Sequence, residues 1–117
     1  MLWYTKKGEV HSVTAKTYSV DEIRKIIAPI AKQHGVDRVY LFGSYARGEA
    51  TEQSDIDLFI DASSIRGLFA MGGLYADLED ALQKQLDIVT AKSLKYNTDT
   101  RFVSNIKKDR VLLYEAA

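Results

Sequence analysis

Short apolar runs and longer stretches of helical spacing alternate along the chain, which predicts a single sheet covered by a few helices. The first helix begins with a capping box formed by Ser19 and Glu22, carries isoleucines at helical spacing, and ends at Gly35. Apolar side chains are nearly continuous, or alternate with polar ones, in four predicted strands at residues 36–42, 54–61, 86–90 and 111–114.

A second long helix is predicted over residues 64–84, with its apolar side including Leu68 and Phe69. A glycine pair weakens the middle of this helix and favours a break into two pieces. Residues 92–97 read as a loop of some basic character. A last helix, capped by Asn97 or Thr98, then leads to the terminal strand.

The first 18 residues form an N-terminal extension ahead of a main domain over residues 19–117. Two apolar runs flank a polar stretch that contains Gly8, a pattern that favours a β-hairpin. We weigh an edge ribbon that packs Trp3 on the domain against a partner-binding arm, and favour the ribbon, since a lone hairpin has little stability unless something covers it.

Composition excludes several classes of protein. Sixteen basic residues balance 16 acidic ones, so the net charge gives no sign of direct nucleic acid binding or of an anionic membrane partner. The chain has no cysteine, which excludes disulfides, thiolate catalysis and cysteine-ligated zinc. With no signal peptide and no apolar run of about 18 residues, the sequence favours a cytoplasmic protein that spans no membrane.

Candidate chemistry lies at the ends of two predicted strands. Gly43 and Ser44 follow an apolar run and open a helical turn, which would place backbone amides and a hydroxyl around a phosphate. Asp55 and Asp57, at positions i and i+2 of a strand, project from one face. Two adjacent carboxylates repel each other unless a cation lies between them, and Mg²⁺ prefers carboxylate and phosphate oxygens.

A third carboxylate on a neighbouring strand would complete a site for two metal ions. Asp87 is the best candidate, because it too opens an apolar strand. Arg47 could contact a phosphate in bidentate fashion or could pair with a nearby glutamate, and the sequence leaves both readings open. Lys92 and Lys95 could reach a nucleotide, although exposed lysines usually only solvate a surface.

The arrangement resembles the signature of the minimal nucleotidyltransferase (MNT) family, within the DNA polymerase β-like superfamily. That signature is Gly-Ser, ten residues, Asp-x-Asp and a later strand aspartate. Gly43-Ser44 and Asp55-Ile56-Asp57 match it in order and spacing, and Asp87 looks like the third element. The similarity covers residues 19–115. It implies an α/β (α+β) nucleotidyltransferase fold with a small mixed sheet of three to five strands flanked by helices.

The resemblance also implies transfer of AMP from ATP to an acceptor hydroxyl, with release of pyrophosphate. Small stand-alone members are often antitoxins paired with a HEPN-domain ribonuclease toxin, and are thought to silence it by adenylylating a toxin tyrosine. By similarity, Asp55 and Asp57 would bind two Mg²⁺ ions and Asp87 would hold the ion that activates the acceptor oxygen. Gly43 and Ser44 would hold the β- and γ-phosphates.

Two alternatives stay open at this point. One is a small-molecule nucleotidyltransferase, similar to the antibiotic-modifying relatives, with its substrate pocket at a homodimer interface. The other is an antitoxin that blocks its toxin by binding alone and keeps the fold without turnover. The leading prediction is the adenylyltransferase antitoxin, because one domain of 117 residues has no room for a separate substrate domain.

Overall fold

The computed structural model describes residues 17–117, together with the backbone of residues 2–4 and 10–12. The helices are α1 (Val20–His34), α2 (Gly43–Arg47), α3 (Leu68–Leu82), α4 (Ala91–Lys95) and α5 (Thr100–Asp109). The strands are β1 (Leu2–Tyr4), β2 (Val10–Ser12), β3 (Arg38–Phe42), β4 (Ile56–Asp61), β5 (Leu86–Thr90) and β6 (Val111–Glu115).

The main sheet has four strands in the order β5-β4-β3-β6. Strand β3 pairs antiparallel with both β4 and β6, whereas β4 and β5 run parallel. The predicted small mixed sheet is therefore confirmed. Strands β1 and β2 pair antiparallel with each other in a separate ribbon. The predicted turn at Gly8 lies outside the described residues, and the division of the chain at residue 18 stays a prediction.

Helices cover both faces of the main sheet. On one face, α1 and α3 pack against the alternate residues Ile56, Leu58 and Ile60 of β4 in the larger buried cluster. On the other face, Leu94 of α4 and Ile106 of α5 pack on aromatic residues of β3 and β4 in a smaller cluster. Alternation along β4 therefore assigns its odd-numbered positions, Asp57 among them, to the face beneath α4 and α5.

The ends of α1 follow the sequence prediction. The Ser19 hydroxyl accepts a hydrogen bond from the Glu22 amide, and the Glu22 carboxylate accepts one from the Ser19 amide. Gly35 ends the helix in the left-handed conformation. The first helix and its capping box are confirmed.

The predicted helix over residues 64–84 was wrong in three respects. It begins at Leu68, runs unbroken through its glycine pair, and leaves Leu68 and Phe69 exposed. Leu74, Leu78 and Leu82, four residues apart, bury one stripe against α1 and the sheet. Burying this stripe outweighs the cost of about 1 kcal/mol for each glycine, so the helix continues.

Two local predictions near the last helix were also wrong. Residues 92–97 are not a plain loop, because residues 92–95 belong to the short helix α4, which Thr90 caps. The cap of α5 is Asp99, whose carboxylate accepts hydrogen bonds from the Arg101 and Phe102 amides. In the part of the chain that the structure describes, no helix is both long enough and apolar enough to cross a membrane.

Lys84 ties the connector between α2 and β4 to the domain. Its side chain is only 4% exposed, and its ammonium group donates a 2.8 Å hydrogen bond to the Glu52 carbonyl. Replacing Lys84 by methionine keeps the apolar stem but removes the donor. We expect the free energy of unfolding to fall by about 1–2 kcal/mol. Urea denaturation measures this change, with exposed Lys32→Met as the control. Equal midpoints for the two variants would refute the tether.

Candidate active site

The chain turns sharply where β3 passes into α2. Gly43 has φ of +71°, a conformation that residues with a side chain rarely adopt. A Cβ atom added at Gly43 would overlap the Asp57 carboxylate, lying 2.9 Å from its Cγ atom. Phe42, the residue before α2, has no polar side-chain atom with which to cap the first amides of the helix. The turn therefore needs glycine and presents its backbone beside Asp57.

Strand register brings two of the predicted aspartates together. Asp57 of β4 pairs with Asp87 of the parallel strand β5, while Phe42, the residue before Gly43, pairs with Asp57 on the other side. Paired positions on neighbouring strands face the same side of a sheet, so the two carboxylates share the face beneath α4 and α5. Asp55 lies just before β4, and both Asp55 and Asp87 are exposed, whereas Asp57 is half-buried.

The Asp57 carboxyl has an unusual affinity for its proton. Burial, followed by the negative charges of Asp87 and Asp55, raises its pKa from 3.8 to about 6, and the positive charge of Arg47 partly opposes this rise. Burial and the two neighbouring aspartates disfavour the ionised carboxylate, whereas Arg47 favours it. The four side chains therefore share one electrostatic environment, in which negative charge exceeds positive charge and a cation would be stabilised.

Arg47 is held by two carboxylates. Its Nε atom donates to Glu49 at 2.7 Å, and its Nη1 atom donates to Asp109, at the end of α5, at 3.3 Å. Both partners raise the pKa of the guanidinium. The contact with Asp109 joins α2 to α5 across 62 positions of sequence, and no local pattern could have signalled it. The predicted alternative of pairing with a nearby glutamate is what the structure contains.

The structure places no three His, Cys, Asp or Glu side chains of the described residues close enough together to hold a metal ion. The sequence predicts that Asp55, Asp57 and Asp87 gather in this way. What the structure brings together is the Asp57–Asp87 pair, with Asp55 within electrostatic reach. Mg²⁺ needs only one or two carboxylates when a substrate supplies phosphate oxygens. The carboxylate donors and their excess negative charge fit that ion.

Residues 24–117 match the family model described as Polymerase beta, Nucleotidyltransferase. The chain belongs to this family. The resemblance to nucleotidyltransferases is thereby confirmed, and the Gly43 turn and the paired aspartates lie within the matched residues of this nucleotidyltransferase.

Two relatives have names that specify a reaction. A provisionally named protein adenylyltransferase of Methanocaldococcus jannaschii is 37% identical over 94 residues, which cover 80% of this chain and 91% of the relative. The protein adenylyltransferase MntA of Thermococcus cleftensis is 37% identical over 81 residues, covering 66% of this chain and 82% of that protein.

Solved structures share the fold. A provisionally assigned minimal nucleotidyltransferase is 28% identical, with a TM-score of 0.65, and the match covers 82% of this chain and 97% of the other. A complex of a tri-AMPylated HEPN toxin from Shewanella oneidensis with an MNT antitoxin contains a chain that is 21% identical, with a TM-score of 0.58. That match covers 83% of this chain and 73% of the other.

Proposed function

We propose that this nucleotidyltransferase transfers AMP from ATP to a hydroxyl group of a protein, in a reaction that depends on Mg²⁺. The acceptor is a tyrosine of a cognate HEPN-type ribonuclease toxin, and the chain acts in the cytoplasm as the antitoxin of that pair. The observation that carries the proposal is the Asp57–Asp87 pair beside a turn that only glycine can make. The names of the two adenylyltransferase relatives support AMP as the transferred group.

The residues of the chain bind and orient the nucleotide. Gly43 lets the triphosphate approach the backbone without a Cβ in the way, and Ser44 adds a hydroxyl for a phosphate oxygen. Arg47 lies close enough to affect the pKa of Asp57 and carries a guanidinium suited to phosphate. Taking up that role requires Arg47 to exchange Glu49 or Asp109 for the nucleotide.

Asp57 and Asp87, with Asp55 beside them, would hold Mg²⁺. The bound ions would lower the pKa of the acceptor hydroxyl and neutralise charge on the leaving phosphates. In the transfer, the acceptor oxygen forms a bond to the α-phosphorus. The bond from that phosphorus to the oxygen bridging to the β-phosphate breaks, pyrophosphate leaves with the electron pair, and the hydroxyl proton passes to solvent. The geometry of the bound reactants supplies much of the acceleration.

The HEPN-type toxin as partner is supported by the complex that shares the fold, in which such a toxin carries AMP groups and binds an MNT antitoxin. A protein acceptor also suits a chain in which one sheet and its helices occupy all of residues 17–117.

Intact-mass spectrometry tests the proposal directly. The chain is incubated with ATP, Mg²⁺ and the protein encoded by the neighbouring reading frame, which the proposal expects to be a HEPN-type toxin. We expect the partner to gain mass in steps of one AMP, with an equal amount of pyrophosphate released. Chelation of Mg²⁺ should stop the reaction. If the partner is unmodified while small hydroxyl compounds become labelled, the small-molecule alternative replaces the proposal.

Toxin neutralisation in cells distinguishes turnover from binding alone. The double variant Asp55→Asn/Asp57→Asn retains the shape of both side chains and removes their charge. We expect it to bind the toxin but to leave the toxin active, because no AMP is transferred. Full protection by this variant would show that blocking is sufficient, and the enzymatic account of neutralisation would be wrong.

A further inference from the structure

Strands β5 and β6 form the two edges of the main sheet, so among the described residues each pairs with another strand on one side only. The outer side of an edge strand presents N–H and C=O groups and can receive a strand from another protein. Native proteins usually protect such an edge with a bulge, a proline, a charged side chain or a covering segment. The two edges of this sheet differ in that protection.

The edge formed by β6 is protected. Arg24 of α1 donates a 3.1 Å hydrogen bond from its Nη2 atom to the Leu112 carbonyl, which lies within the strand. The pairing of β6 with β3 also shifts in register between Val39 and Tyr40, as it does at a β-bulge. Both features hinder the addition of a further strand at β6.

The edge formed by β5 is open in the part of the chain that the structure describes. The pairing of β5 with β4 is regular from Leu86 to Thr90, and the strand contains no proline and no basic residue. The Ile56 amide donates to the Gln85 carbonyl at 3.0 Å, and in a parallel pair the residues that bond to the neighbouring strand alternate. Leu86 and Ile88 therefore direct their N–H and C=O groups to the outer edge.

The side chains of β5 are also incompletely covered. Ile56, Leu58 and Ile60 of the neighbouring strand β4 are fully buried. Leu86 and Ile88, which pack on the same cluster at the edge of the sheet, are only half-buried. A strand added at this edge would cover apolar area and pair with the outward N–H and C=O groups at the same time.

The open edge belongs to the strand that carries Asp87. A strand paired with β5 would lie about 4.8 Å from it, and the side chain opposite Asp87 would project on the face of the Asp57–Asp87 pair. An extended segment can therefore bring a hydroxyl group to the carboxylates from this edge. A second copy of the chain paired here would block that approach, so the occupant is the acceptor.

A hollow of about 710 Å³ lies at the far end of β5. Thr90 lines it, three residues and about 10 Å of strand beyond Asp87. Because an odd spacing reverses the face of a strand, position 90 takes the face opposite to Asp87, the face on which α3 packs. The apolar lining of the hollow comes from the start of α3 and the residues before it: Ile65, Leu68 and Met71.

We propose that an extended segment of the acceptor protein pairs with the outer edge of β5. Its hydroxyl-bearing residue lies opposite Asp87, and an apolar residue three positions away occupies the hollow. This inference rests on the proposed function and specifies how its protein acceptor is bound. Main-chain hydrogen bonds hold the segment, and the two side chains, which point to opposite faces, select it.

Proline at position 88 tests the edge. The Ile88 N–H faces outward, so Ile88→Pro removes an edge donor without breaking a hydrogen bond to β4. Ile88→Ala is the matched control, because it also shortens the side chain but keeps the N–H. With the protein of the neighbouring reading frame as acceptor, we expect the proline variant to have about a ten-fold higher KM for the acceptor than the alanine variant, and the same KM for ATP. Equal KM values for the acceptor would exclude pairing at this edge.

Two adjacent residues of α3 test the hollow. Leu68 and Phe69 are 86% and 95% exposed, but only Leu68 lines the hollow. We expect Leu68→Glu to raise the KM for the acceptor about ten-fold, because a charge would replace apolar contact, and Phe69→Glu to leave it unchanged. Equal effects of the two variants would assign the acceptor to the exposed start of α3 and overturn the place given to the apolar residue.

Hydrogen exchange provides a readout that needs neither a variant nor turnover. Exchange of the wild type is followed by mass spectrometry with and without the protein of the neighbouring reading frame. We expect residues 85–90 to gain protection of about two amides in the complex, those of Leu86 and Ile88, while residues 111–115 gain none. Protection of residues 85–90 in the chain alone that is lost on dilution would identify a second copy as the occupant and overturn the inference.

The same experiment separates failure of the inference from failure of the proposed function. AMP transfer to the partner without protection of residues 85–90 would overturn the inference and leave the proposed function intact. Protection of these residues without AMP transfer would reject the proposed function and support the docking at β5. A partner that neither binds nor receives AMP would reject both.

Discussion

Replacing Asp57 by asparagine should stop AMP transfer while making the metal-free protein more stable. Asparagine keeps the shape of the side chain but loses the charge that would hold Mg²⁺. We expect the rate of transfer to fall at least about 10³-fold, equivalent to about 4 kcal/mol of transition-state stabilisation. Intact-mass or pyrophosphate-release assays under saturating ATP and Mg²⁺ measure this loss.

The gain in stability follows from the pKa of Asp57. Burial and two neighbouring carboxylates raise it from 3.8 to about 6, so the ionised form is disfavoured in the folded state. The raised pKa adds to the free energy of unfolding as long as Asp57 is protonated in the folded state. This contribution is fully present below about pH 4 and is lost as the pH rises through about 6. A shift of this size corresponds to about 3 kcal/mol at most. Because Asp57 is only half-buried, we expect about 1–2 kcal/mol.

Urea denaturation in the presence of a chelator, at pH 4 and at pH 8, measures the effect. The Asp57→Asn variant and the wild type should have similar free energies of unfolding at pH 4, and the variant should be the more stable at pH 8. Added Mg²⁺ should raise the stability of the wild type alone, since binding to the folded state is stabilising. A variant less stable than the wild type at pH 8 without metal would contradict the electrostatic account.

Asp55→Asn is the matched control. Asp55 is exposed and lies just before β4, so removing its charge should change the free energy of unfolding by no more than about 0.5 kcal/mol. We expect it to lose most of its transfer activity all the same. If both variants lose activity and only Asp57→Asn gains stability, then the charge of the half-buried Asp57 is destabilising and that of the exposed Asp55 is not.

The neighbouring positions of Asp57 and Asp87 could be predicted because they depend on short-range patterns. Each aspartate opens an apolar strand, and strand alternation decides which face each side chain takes. Asp55 was predicted by the same rule, but it precedes β4, where strand pairing no longer constrains its side chain. This explains why the sheet brings two carboxylates together and leaves the third beside them.

Other features depend on packing that a sequence pattern does not contain. The exposed first turn of α3, with Leu68 and Phe69, has helical spacing but lies outside the contact with α1 and the sheet. The ion pair between Arg47 and Asp109 joins two elements that are distant in sequence. The short helix α4 was missed because it has only five residues and its lysines are equally typical of a solvated loop.

Replacing Gly43 by alanine should reduce both stability and activity, and by more than the same change at any other positive-φ glycine of the described residues. Alanine at φ of +71° has about 1–2 kcal/mol of backbone strain. Its Cβ would also overlap the Asp57 carboxylate, which adds about 1–3 kcal/mol of overpacking. We expect the free energy of unfolding to fall by about 2–4 kcal/mol. Displacement of Asp57 by about 1 Å should slow AMP transfer about 10²-fold.

Gly48→Ala provides the matched control. Gly48 has φ of +73°, nearly the same as Gly43, and an added Cβ at Gly48 meets no atom within 4 Å. The Gly48 variant should therefore show the backbone strain alone, about 1–2 kcal/mol, with little change in the rate of transfer. Urea denaturation and intact-mass assays are run on both variants. Equal losses of stability and activity would mean that the contact with Asp57 has no effect of its own.

A double-mutant cycle isolates the contact itself. Asp57→Ala removes the carboxylate that the new Cβ would overlap, so adding Gly43→Ala to this variant should cost only the backbone strain. We expect the two substitutions to be coupled by about 1–2 kcal/mol in the free energy of unfolding. Coupling of this sign would mean that glycine at position 43 is required by the carboxylate as well as by the turn. The backbone that would receive the phosphates and the carboxylate that would hold the metal ion then form one packed unit.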